Sequence, residues 1–147
     1  MASANDVAAY ILAKQGRMPA LKLQKLLYYS QAWSLVWDDG PLFEDRIEAW
    51  ANGPVIPNVY DRHRGYFEVG SQWPGGDAKS LNETQCETVD AVLGFYAGHS
   101  GQWLSELTHS EAPWKDARGT LGPGERGNQV ITQAAMVDYY SGLPQGA

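Results

Sequence analysis

The sequence predicts a mainly α-helical single domain. It reads as a compact bundle of about six helices around one buried central helix, with a single short β strand or hairpin. Residues 19–37, PALKLQKLLYYSQAWSLVW, are apolar around almost the whole helical wheel, which requires neighbours on several sides. Hydrophobic residues make up 44% of the 147 and charged residues 19%, enough to build a core and too little charge for a disordered chain. Alternation of strand type is confined to residues 42–52, too little for an α/β sheet. Residues 1–147 form one domain, with no repeat and no linker.

The elements follow in order. Asn5-Asp6 suits a helix N-cap, Val7, Tyr10 and Ile11 give the apolar face, and Gly16 stops the helix. Pro19 fits the first turn of the central helix, about 28 Å long at 1.5 Å per residue. Asp38-Asp39-Gly40-Pro41 ends it. In LFEDRIEAWAN, Ile47, Ala49 and Ala51 share one strand face, with Glu48 and Trp50 on the other. Pro57 opens a short helix that Gly65 closes. Residues 69–80 are loop-like in composition. Asn82 caps the next helix, Gln85 completes the capping box, and Val89, Val92, Leu93 and Tyr96 form its buried stripe. Ser100 caps GQWLSELTH, residues 118–129 form another loop, and Thr132–Tyr140 is the last helix. The tail from about residue 141 reads as frayed.

Charge and composition exclude several function classes. The net charge of −6 disfavours general binding to phosphate backbones. The single cysteine, Cys86, has no internal disulfide partner, and no apolar run reaches the roughly 20 residues of a membrane span. The N-terminal segment lacks the order of a signal peptide, so the expected location is the cytoplasm, away from membranes. Six Trp and eight Tyr are abundant for this length and suit either a tight core or an adhesive face.

Chemical motifs are weak. GPGERG at 122–127 has glycine spacing that cradles a pyrophosphate only after a strand and before a helix, and neither flanks it. His109-Ser110-Glu111 lacks the two further thiolates of a zinc deaminase site. His63, His99 and His109 do not pair at metal-ligand spacing, and Cys86 has no basic neighbour to activate it. Lys22, Lys25 and Arg46 with Arg62-His63-Arg64 allow a local positive patch, though solvated charges explain them as well. No catalytic residue, cofactor or metal is expected, and the chain reads as a non-enzyme.

Four segments carry a resemblance. KLQKLLYYSQAWSLVWDDGPLF at 22–43 leads into IEAWANGPVIPNVYDRHRG at 47–65. LSELTHSEAPWKDAR follows at 104–118 and ITQAAMVDYY at 131–140. From Asp6 to Tyr140 this order resembles the Panacea domain family of antitoxins, some described as phage-associated. Ser34 departs from that pattern, standing where a histidine is expected. The resemblance implies a type II-like antitoxin that neutralises, by direct contact, a cognate toxin encoded beside it. Signature or toxin-contact candidates are Trp50, Gly53, Pro54, Pro57 and Tyr60 at the corner, with His109, Glu111 and Trp114. The corner is expected to be structural and to brace a toxin-facing, aromatic-centred surface with an acidic rim. A DNA-binding phage or transcriptional regulator, an adaptor that hands the toxin to a protease, and an unrecognised enzyme site around His63, His109 and Glu111 are the alternatives. Homo-oligomerisation stays open.

Overall fold

A computed structural model describes residues 2–144. Among these are seven α-helices, one of them central, and two small antiparallel sheets. The helices are α1 (Ala4–Gln15), α2 (Ala20–Trp37), α3 (Pro57–His63), α4 (Glu83–Tyr96), α5 (Gly101–His109), α6 (Ala112–Arg118) and α7 (Gln133–Tyr140). Strands β2 (Glu48–Trp50) and β3 (Gly53–Val55) form a hairpin, with Trp50 opposite Gly53. Strand β1 (Met18–Pro19) pairs with β4 (Glu68–Val69).

The mainly helical prediction and the central helix both hold. Leu23, Leu26, Leu27, Tyr28 and Tyr29 of α2 are fully buried. They pack against α1, α4, α5, α7 and β3. At about 25 cal/mol per Å² of apolar surface removed from water, so enclosed a helix contributes substantially to stability. The four tyrosines Tyr28, Tyr29, Tyr96 and Tyr140 meet by edge and stacked contacts with centroids 4.2–6.1 Å apart.

Four polar residues of α2, Gln24, Lys25, Gln31 and Ser34, are also buried, and each holds backbone that belongs to no long element. Gln31 Nε2 donates to the Phe43 carbonyl, and its Oε1 accepts from the Leu42 amide, both at 2.8 Å. One heptad earlier on the same face, Gln24 Oε1 accepts from the Ile56 amide at 2.8 Å. Lys25 Nζ donates to the Pro54 carbonyl at 2.8 Å, and Ser34 Oγ to the Gly40 carbonyl at 2.7 Å. Residues 40–56 are thereby fastened to the central helix through groups that water would otherwise satisfy. Ser34 thus has a structural use of its own.

Several expectations change. The capping residue of α1 is Ser3, with Asp6 completing the box. Asn5 is diverted, donating to the Asn58 carbonyl and accepting from Trp73 Nε1. Pro19 precedes α2 and lies in β1, since Ala20 donates its amide to the Phe67 carbonyl. The 69–80 stretch is irregular but not loose. Trp73 is buried, and a 3₁₀ turn at Ala78–Ser80 closes on α1. The helix missed by sequence is α6. Seven residues show too little periodicity, and Glu111 before it makes no side-chain cap.

Glu111 has another task. Its Oε1 accepts from Tyr29 Oη at 2.7 Å and Tyr140 Oη at 2.8 Å, and the Tyr28 hydroxyl lies 3.0 Å from that of Tyr140. One carboxylate therefore ties α6 to α2 and α7. Leu143 packs on the core, so the segment described beyond α7 is seated, and residues 145–147 of the expected frayed tail lie outside the described residues.

Glu111→Ala leaves two buried hydroxyl donors without their acceptor and is expected to cost about 3 kcal/mol. Glu111→Gln keeps an acceptor oxygen and is expected to cost about 1 kcal/mol. Urea unfolding midpoints of both variants check this; equal losses would contradict the assignment.

Candidate functional site

The corner between β2 and α3 is built by backbone that only certain residues allow. Gly53 has φ +120°, and a Cβ there would lie 2.5 Å from Lys25 Cε and 3.1 Å from Thr108 Oγ1. Glycine is required because the hairpin closes directly onto the lysine stem. Pro54 has no amide to satisfy, and its carbonyl takes the Lys25 donor. Pro57 opens α3 at a position where the missing N–H costs nothing. Ser105 Oγ donates to the Asn52 carbonyl and ties the turn to α5.

In front of this corner lies an open cavity of about 850 Å³. Trp50 and Tyr60 meet edge to face, with centroids 4.9 Å apart. Trp50, Tyr60, Leu21 and Val55 line the cavity together with Tyr66 and Phe67. Tyr66 is 71% exposed and Phe67 79%, although the Phe67 carbonyl is held by Ala20. Exposed aromatic side chains on fastened backbone mark a contact surface more often than a folding accident.

The groove has little acid. Glu48 is the one carboxylate residue on its wall, and it accepts from Arg46 Nε at 2.7 Å and Trp50 Nε1 at 2.8 Å. Lys25 lies under the floor, and Arg126 stands exposed at the edge with no carboxylate in ion-pair range among the described residues. The expected acidic rim is therefore absent from this groove. Of the cations that allowed a positive patch, Lys25 is buried, Lys22 Nζ donates to the Ala97 carbonyl and Arg46 pairs with Glu48, while Arg62 and Arg64 are exposed.

The eight residues singled out by sequence separate into groups. Trp50 and Tyr60 line the groove, while Gly53, Pro54 and Pro57 build the corner behind it. His109 stacks on Trp114 at 4.0 Å, and Trp114 Nε1 donates to the Trp50 carbonyl at 2.8 Å. Arg118 lies 5.0 Å over the Trp114 ring and donates to the Ala49, Gly122 and Glu125 carbonyls. The 104–118 segment thus braces the hairpin from behind and pins the GPGERG loop that carries Arg126. Glu111 faces the opposite way, into the tyrosine cluster.

Sequence reasoning missed Gln24, Tyr66, Phe67, Arg118 and Arg126 as parts of this face. For Gln24 a signal exists: with Gln31 it marks a polar line seven residues apart on a helix otherwise enclosed. The other four carry no pattern, because their place depends on which loops come together.

His63 Nε2 lies 3.0 Å from Gln24 Nε2, and His99 stacks on Trp103. The three histidines occupy separate surroundings, and no cluster of three or more His, Cys, Asp or Glu occurs among the described residues. Burial lowers the pKa of both His63 and His109, and buried His109 Nε2 has no hydrogen-bond partner. Burial raises that of Glu111, against the two tyrosine hydroxyls that lower it. No described helix is long and apolar enough to cross a membrane.

Burial also brings the Lys25 amine from 10.5 down to about 7. The unfolded chain keeps that proton up to the ordinary lysine range, whereas the folded chain releases it near 7. Stability is therefore expected to climb as pH rises from about 7 to about 10, by up to about 4 kcal/mol, and Lys25 adds no further slope well below 7, where both states hold the proton. In Lys25→Met this rising limb should vanish from urea midpoints measured across the range; an unchanged slope would assign it to other groups.

Residues 23–115 match the family described as Antitoxin SocA-like, Panacea domain. No curated protein and no solved structure matches the chain.

Proposed function

Because the chain belongs to the Antitoxin SocA-like, Panacea domain family, we propose that it is an antitoxin that neutralises a toxin by direct protein contact. The observation that carries this reading is the groove in front of the Trp50–Tyr60 corner. It is open, walled by aromatic side chains, and bordered by Tyr66 and Phe67, which the fold leaves in solvent. Aromatic side chains on a preformed surface supply contact area at small entropic cost. The separation of the three histidines supports a binding role rather than hydrolysis or metal chemistry.

The proposed partner is the product of the adjacent reading frame, as the family resemblance implies. A net charge of −6 favours a toxin of basic overall charge and speeds its encounter.

The test is co-expression with that neighbour under a separate inducible promoter. The neighbour alone is expected to arrest growth, and this chain to restore it while the two purify as a complex. The association rate of that complex should fall as salt rises. A harmless neighbour, or arrest that persists beside soluble chain, contradicts the pairing. Rescue accompanied by loss of the toxin would instead show delivery to a protease.

A further inference from the structure

We propose that the groove between the Trp50–Tyr60 corner and the Tyr66–Phe67 segment receives a short protein segment carrying a bulky apolar side chain beside a carboxylate. The proposal rests on the antitoxin reading for the identity of the partner, and on the groove itself for the chemistry.

Size and shape come first. A cavity of about 850 Å³ holds more than one large side chain, and its open form admits a segment still attached to its protein. Trp50 and Tyr60 form one wall, fixed by their mutual edge contact and by Trp114 behind. Tyr66 and Phe67 form the other lip. An apolar side chain placed between them removes aromatic surface from water on both sides.

Charge then selects the neighbour of that side chain. Glu48 is already engaged by Arg46 and Trp50, so the one carboxylate on the wall is not free for an incoming cation. Arg126 is the opposite case, an exposed guanidinium with no carboxylate partner among the described residues, in a chain of net charge −6. Its loop is held by the Arg118 bonds to the Gly122 and Glu125 carbonyls and by the Gly122 amide, which donates to Glu125 Oε2 at 2.8 Å. A planar guanidinium on a fastened loop suits two-point recognition of a carboxylate. The net charge governs the long-range approach, and Arg126 governs the local fit.

The second aromatic surface is a weaker receptor. Trp33, Trp37, Phe95 and Trp103 border a space of about 270 Å³, and the chain's own Leu143 and Pro144 occupy part of its wall.

The experiment selects a random twelve-residue peptide library on the full-length chain and measures the recovered peptides by fluorescence anisotropy. The expected set converges on Leu, Ile, Phe or Trp within two positions of Asp or Glu. Phe67→Asp should weaken those peptides about tenfold or more. Selection on Arg126→Glu should exchange the acidic position for Lys or Arg. Both side chains are exposed, so unaltered melting curves confirm that the variants fold. Trp103→Asp, on the other aromatic surface, should leave binding as it was. No convergent set, a set without acid, or peptides indifferent to both groove variants overturns the proposal. No toxin takes part, so that failure leaves the antitoxin reading to stand or fall on co-expression.

Discussion

The hydrogen bonds from Gln24 and Lys25 to the backbone of Pro54 and Ile56 hold the hairpin and the start of α3 against the central helix. Around them the chain has little regular structure to lend, because β2 and β3 have three residues each. A hairpin that short is not stable alone in water. It persists because the interior of α2 supplies polar partners where other cores supply only hydrocarbon. Gly53 is the condition for this arrangement, since any side chain there meets Lys25. The buried amine costs stability near neutral pH, a cost offset by the enclosed apolar faces of the same helix.

A second support comes from behind. His109, Trp114 and Arg118 lie on or beside two short helices, and their rings and guanidinium stack in sequence. Trp114 reaches the Trp50 carbonyl and Arg118 the Ala49 carbonyl, so β2 is held on the side away from α2. The 129–131 segment adds the Gln129 carbonyl and the Ile131 amide to the same strand. A strand gripped from both sides presents its aromatic residue at a fixed angle. Preorganisation of this kind lowers the cost of binding without adding contact area.

Much of the fold was legible in the sequence for reasons that can be named. The enclosed wheel of α2, the Asn82–Gln85 box and the Ser100 and Thr132 caps each state a local rule that tertiary structure did not override. The short helix α6 escaped because Glu111, which should announce it, turns inward to Tyr29 and Tyr140. The corner was legible from Gly53, Pro54 and Pro57, since those residues restrict the backbone whatever surrounds them. The groove was not. Tyr66, Phe67 and Arg126 lie in segments whose composition says only that they are irregular, and they gather because β1 pairs with β4 and Arg118 draws in its loop.

The proposed partner is expected to seat on the face held by Gln24, Lys25 and Trp114. Hydrogen exchange of the chain, alone and in complex with the product of the adjacent reading frame, tests it most directly. Protection gained at residues 50–67 and 126–128 is the expected result. Protection gained instead around Phe95 and Trp103, with the groove exchanging as in the free chain, contradicts it.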